Sequence, residues 1–86
     1  MASYAEIRDA IHETISRAAQ IQAWLWTINT DIEHMHAHMV ETGEGSSAED
    51  MTQAIARLAM AKKEPGRLVA LLEAAKTDLY NYLESH

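Results

Sequence analysis

The sequence predicts an all-α fold, an antiparallel helical hairpin, on three observations. The 86-residue chain contains only three Gly and one Pro, no Phe, and abundant Ala, Leu, Ile, Met and Glu, a composition that favours helix. Apolar or small residues recur at steps of three and four along the first forty positions. Turn-forming residues cluster near the middle, at Gly43-Glu-Gly45-Ser-Ser, and divide the chain into two arms of similar length. At this size the chain is a single domain, residues 1–86.

Ser3-Tyr-Ala-Glu6 has the spacing of a capping box, in which the Ser hydroxyl satisfies an orphan amide and the Glu reaches back. From there a stripe runs through Tyr4, Ile7, Ile11, Thr14, Ala18, Ile21, Leu25, Ile28, Ile32, Met35 and Met39 with no Gly or Pro to interrupt it. A seam sustained over about five heptads is the signature of lengthwise, coiled-coil packing. The first helix is therefore expected over residues 3–42, roughly 60 Å at 1.5 Å per residue. Gly43 suits a left-handed C-cap, and Ser46-Ser-Ala-Glu49 repeats the capping-box spacing to open a second arm over 46–85. Met51, Ile55 and Leu58 begin the apolar stripe of that arm, and Leu68, Leu72, Ala75, Leu79 and Tyr82 continue it. Pro65, followed by Gly66, removes a helical donor and crowds the preceding turn, so the arm is expected to kink or break there. The arms should pack along Ile11, Ile21, Leu25, Ile28, Ile32 and Met35 against Met51, Ile55, Leu58, Leu72 and Leu79.

The net charge of −6 is localised. No Lys or Arg lies between Ala18 and Ala56, while Asp31, Glu33, Glu41, Glu44, Glu49 and Asp50 do. Such an acidic middle disfavours nucleic acid, whose phosphates need a basic patch, and suits a solvated tip or a basic protein surface. No basic stretch precedes an apolar run, so no cleavable signal peptide is expected. No run of about 18 apolar residues is present, so a soluble chain without a membrane span is expected, cytoplasmic or exported. The absence of cysteine excludes disulfides, thiolate metal sites and thiol nucleophiles.

The stretch Trp24-Leu-Trp26 places two indoles about 200° apart on a helix. Trp24 flanks the predicted seam and is expected at its edge. Trp26 points away, onto a back stripe with Ile15, Ala19, Ala37 and Val40 that a two-helix hairpin leaves wet. Self-association into a four-helix bundle would cover it. The expected interface is Trp26 with Ile15, Ala19 and Val40, or the remaining flank near Leu71 and Leu83, and the expected partner is a second copy or another helical protein.

Histidines at 34 and 38 lie one turn apart, with Asp31 and Glu41 on the same strip. Imidazoles at that spacing can share a metal ion that carboxylates orient, and Glu33-x-x-His36 matches the spacing used by carboxylate-bridged bundles. The composition implies no cofactor of its own, so a metal-binding or pH-responsive bundle stands as an alternative. In the pH form, protonation of His34, His36 and His38 between about pH 7 and 5 neutralises the acidic region. A small acidic inhibitor of phage type, imitating nucleic acid, is a further alternative. Catalysis is not expected: there is no Gly-rich phosphate loop, no His-Glu-x-x-His, and no spacing that sets a nucleophile beside a base.

Tyr80-Asn-Tyr-Leu-Glu84, near the C-terminus of an 86-residue hairpin with a glycine-containing turn, resembles the export signal of the small helical-hairpin proteins secreted by type VII systems, the Trp-x-Gly family. The family's Trp-x-Gly turn is absent, because the turn here reads Thr42-Gly43-Glu44-Gly45. The resemblance implies a four-helix homo- or heterodimer, with Tyr80 and Glu84 as a surface read by export machinery. The function expected from the residues themselves is non-enzymatic protein–protein interaction.

Overall fold

Ser3 fixes where the first helix begins. Its extended backbone turns the chain into α1 (Tyr4–Thr42), and its hydroxyl accepts from the Glu6 N–H at 3.2 Å. The Glu6 carboxylate accepts in turn from that hydroxyl at 3.4 Å, in place of the Ser3 backbone amide that a full capping box would use. The computed structural model describes residues 1–43 and 45–86; Glu44, one of the acids of the expected acidic middle, lies outside them. Among the described residues the chain forms three helices and no strand: α1, α2 (Glu49–Ala61) and α3 (Glu64–Ser85). The first helix has the length the sequence predicts, and the second arm is divided near Pro65.

The turn between the arms differs from its sequence reading in two ways. Gly43 is right-handed, φ −88° and ψ −1°, and the positive φ falls on Gly45 at 86°. What Gly43 supplies is room. A Cβ there would lie 2.7 Å from the Met39 carbonyl oxygen and 3.0 Å from Met51 Sδ. The second helix also starts three residues later than Ser46. Ala48 is its N-cap without a side-chain bond, and the Ser46 hydroxyl is used within the turn, accepting from the Ala48 N–H at 3.3 Å.

Pro65 divides the second arm at the least cost to its backbone. The ring occupies the first turn of α3, where an N–H has no intrahelical partner to lose. Lys62 and Lys63 form the single tight turn before it, donating to the Leu58 and Met60 carbonyls at 3.1 Å each. The seam continues through this break without changing phase. Met51, Ile55, Leu58, Lys62, Pro65, Val69, Leu72, Lys76, Leu79 and Leu83 step by four and three, and every one of them is buried or half-buried. Lys62 and Lys76 take part because their aliphatic stems can lie along apolar surface while the ammonium groups reach water.

On α1 the facing line is rotated from the predicted one. Ile11, Ala18, Leu25, Ile32 and Met39 are on it, as expected, but their companions are Ile15, Gln22, Asn29, His36 and Gly43. The predicted companions Ile21, Ile28 and Met35 are exposed, at 36, 45 and 50%. The two choices lie one residue apart, and the turn decides between them. Met51 packs on Gly43, and Gly43 is seven residues beyond His36, which is seven beyond Asn29 and fourteen beyond Gln22. A polar clamp holds the same phase at mid-length. Gln22 Nε2 donates to the Val69 carbonyl at 3.2 Å and to the Glu73 carboxylate at 3.0 Å. On the second arm Leu68 and Ala75 are likewise exposed, while Leu72, Leu79 and Tyr82 are half-buried.

The molecule is a rod of 62 × 20 × 17 Å with a radius of gyration of 19.4 Å. A compact chain of this length would have a radius near 12 Å. Two arms share one line of contact, so among the described residues the hydrophobic side chains that reach burial are Ile11, Ala18 and Leu25, still 7–8% exposed, with Pro65 beside them.

Candidate functional site

With the facing line fixed, each side of the rod has a definite composition. In an antiparallel pair, positions just outside the facing line on one arm lie beside the corresponding positions on the other. One flank carries Ile21, Ile28 and Met35 of α1, with Trp24 on the adjacent outer row. From the second arm it carries Ala54, Ala61, Leu68, Ala75 and Tyr82, with Leu71 on the outer row. The Gln22 bonds to Val69 and Glu73 set residue 22 level with residues 69–73, so Ile21 and Trp24 stand at the height of Leu71 and Leu68. Trp24 and Leu71 are each 61% exposed. The centre of this flank is a continuous apolar surface.

The opposite flank is mixed. It holds Ala19, Trp26 and Val40, interrupted by His12 and Glu33, together with Ala59, Gly66, Glu73 and Tyr80. Trp26 is 67% exposed, yet its inner edge lines a shallow cleft with Leu25, Asn29, Pro65, Gly66 and Val69. Both indoles therefore differ from their sequence readings. Trp24 stands out from the seam edge it was expected to fill, and Trp26 borders the seam it was expected to oppose. Rotation of the facing line by one residue accounts for both.

The two alternative interfaces expected from the sequence fall on different surfaces. Ala19, Trp26 and Val40 lie on the mixed flank, and Leu71 lies on the apolar flank. Ile15 and Leu83 are half-buried in the seam itself. Ile21, Trp24, Ile28 and Leu68 were absent from that expectation, because as apolar residues at seam spacing they are assigned to the intramolecular contact. The signal that could have separated them is Gln22-x₆-Asn29-x₆-His36, a polar row leading to Gly43.

Asp31, His34, His38 and Glu41 are all exposed, on the side of α1 turned from the second arm. Among the described residues no three His, Asp or Glu side chains converge as a metal site. His36 is half-buried on the facing line of the seam. Tyr80 and Glu84 are exposed one turn apart near the end of α3. A second shallow groove, formed by Ile7, Ile11, Asp78, Leu79 and Tyr82, lies at the open end of the hairpin. Neither groove brings a nucleophile beside a base.

A carboxylate in the polar clamp has a displaced titration. The hydrogen bond from Gln22 holds the Glu73 carboxyl below its usual value of 4.5, and Lys76, 3.3 Å away, lowers it further. The clamp joins α1 to α3 at the rim of the mixed flank, so its role is to fix the phase of the hairpin. No helix among the described residues is long and apolar enough to cross a membrane. No family model, curated protein or solved structure matches the chain.

Proposed function

We propose that this chain is a non-enzymatic protein–protein interaction module that works as a self-associated pair of hairpins forming a four-helix bundle. One observation carries the reading. The isolated chain exposes 6508 Å², whereas a compact monomer of its mass, 9.6 kDa, exposes about 5,100 Å². The excess, roughly 1,400 Å², exceeds the 800 Å² or so that each partner buries in a standard interface. Much of it comes from large apolar side chains, Trp24, Trp26, Ile28, Met35, Leu68 and Leu71 among them. A second hairpin supplies the interior layer that two helices lack.

Sedimentation or light scattering across about 10 μM to 1 mM tests the reading, because a mass-action equilibrium shifts over such a range. The expected mass at the upper end is twice 9.6 kDa. A mass of one chain throughout overturns it. Under the same reading, zinc or a chelator leaves both mass and melting temperature unchanged, whereas the metal-binding alternative requires a rise with zinc. The acidic-inhibitor alternative requires a basic partner whose complex dissolves between roughly 0.05 and 0.5 M salt.

A second reading, export through a type VII system, rests on Tyr80, 51% exposed, standing one turn from Glu84 on the accessible end of α3. Tyr80→Ala would then abolish secretion from a host carrying such a system and leave helix content intact.

A further inference from the structure

We infer that the occupant of the apolar flank is a second copy of this chain, laid across it antiparallel about a two-fold axis at Trp24 and Leu68. The inference rests on the self-association proposed above and assigns its face and alignment. The wide surface of the isolated chain calls for a partner, and the charges around the flank fit a second copy. On the outer row of α1, Arg17 and Asp31 stand seven residues on either side of Trp24. On the outer row of the second arm, Arg57 and Asp78 stand on either side of Leu68, eleven residues before it and ten after. None of these four charged groups has an ion-pair partner among the described residues, although Arg8, Arg67 and Lys76 each have one.

A two-fold axis perpendicular to the rod through Trp24 brings residue 17 of one copy opposite residue 31 of the other. The same axis passes the second arm at Leu68, which the Gln22 clamp sets near the height of Trp24, and brings residue 57 opposite residue 78. Both pairings join an arginine to an aspartate, and symmetry makes each twice. Four unpartnered charges per chain thus become four rim ion pairs per dimer, around a centre built from Ile21, Trp24, Ile28 and Leu68, with Leu71 meeting the partner's Glu64 at its edge. This is the isologous pattern, in which residue i meets j while j meets i. It also makes every neighbouring helix in the bundle antiparallel. The head-to-head alternative sets Arg17 near the height of the partner's Asp78 but Asp31 near that of the partner's Glu64, so it sets one attraction against one like-charge contact where the antiparallel alignment makes only attractions. The mixed flank is the poorer face for such a contact, because Glu33, Glu73 and His12 interrupt its apolar surface.

Charge exchange within one chain tests the alignment. Arg17 and Asp31 lie two heptads apart, about 21 Å along one helix, too far to pair with each other. Arg17→Asp and Asp31→Arg should each weaken dimerisation about tenfold, since each replaces two attractions by two repulsions. The double variant Arg17→Asp/Asp31→Arg should restore it. Trp24→Lys should yield monomers of unchanged helix content by circular dichroism, with a Kd weakened on the order of 100-fold, and Trp26→Lys should remain dimeric. A dimer that tolerates Trp24→Lys overturns the face while leaving self-association standing. Single reversals that the double variant fails to rescue overturn the alignment. A wild type that stays monomeric overturns the underlying reading as well.

Discussion

Gly43 is the residue on which the geometry of the hairpin turns. Its missing side chain lets Met51 seat against the end of α1, and that contact chooses which row of α1 faces the second arm. Gly43→Ala places a methyl 2.7 Å from the Met39 carbonyl oxygen, an overpacking that costs about 1–3 kcal/mol. The melting temperature should fall by roughly 4–8 °C per kcal/mol in a domain this small, read by calorimetry. Gly45→Ala is strained for another reason, its positive φ, although space beside it is open. The Gln22–Glu73–Lys76 clamp makes a separate prediction. The carboxyl of Glu73 is held below 4.5, first by the Gln22 hydrogen bond and then by Lys76. A lowered folded-state value stabilises the hairpin above the unfolded value, and that contribution disappears as the pH falls through the folded one. Melting temperatures measured from pH 7 down to below 4.5 should therefore drop less steeply in Glu73→Gln than in wild type. Equal slopes would show that the carboxylate contributes nothing to folding. Taken singly, neither Gly43 nor Gln22 betrays its role in the sequence; only the heptad row that joins them through Asn29 and His36 does. A glycine after a long helix reads first as a left-handed cap, and a glutamine inside a stripe of isoleucines reads as an interruption.

The elements themselves were far more legible than their orientation. Ser3 and the run of good helix formers define α1 nearly to the residue, and Pro65 marks the division of the second arm. The azimuth of α1 was not legible, because Ile11, Ala18, Leu25, Ile32 and Met39 are compatible with two companion rows one residue apart. Hydrophobicity points to the row of Ile21, Ile28 and Met35, and the fold uses the row of Gln22, Asn29 and His36. Apolar residues that serve a second surface are indistinguishable in sequence from those that serve the first. Charge hid Lys62 and Lys76 in the same way, although the four-three stepping from Met51 to Leu83 passes through both. That unbroken stepping makes a prediction for the break at Lys62-Lys63. Pro65→Ala restores a donor at a point where the seam is already in phase, so α2 and α3 should fuse without rotating either. Helix content should rise by about one turn, seen in circular dichroism and in backbone chemical shifts at residues 61–64, because Ala is roughly 3 kcal/mol better than Pro inside a helix. A variant that loses helix would show that the break directs the second arm and is more than an accommodation of the proline.

For the whole molecule, the controlling quantity is the ratio of surface to interior. A rod 62 Å long and 20 by 17 Å across has one line of contact, and among the described residues that line buries Ile11, Ala18 and Leu25, with Pro65 beside them. Helices of this length are held chiefly by packing of an apolar face, and intrinsic propensity adds little. In the proposed dimer each helix gains a second line of contact, and unfolding of the dimer is linked to its dissociation. Its midpoint must then depend on concentration: a dimer that unfolds to two chains is stabilised by mass action, whereas a monomer melts at the same temperature at any dilution. Over a hundredfold range of concentration that linkage is worth about 2.7 kcal/mol per dimer, enough to move the midpoint by several degrees in a small domain. The measurement is a dilution series followed at 222 nm. Coincidence of all its melting curves would mean that the exposed apolar flank is tolerated by a free hairpin, and the bundle would be withdrawn. A midpoint that climbs with concentration in wild type and Trp26→Lys but stays flat in Trp24→Lys would tie the stability of the fold to one face of the rod.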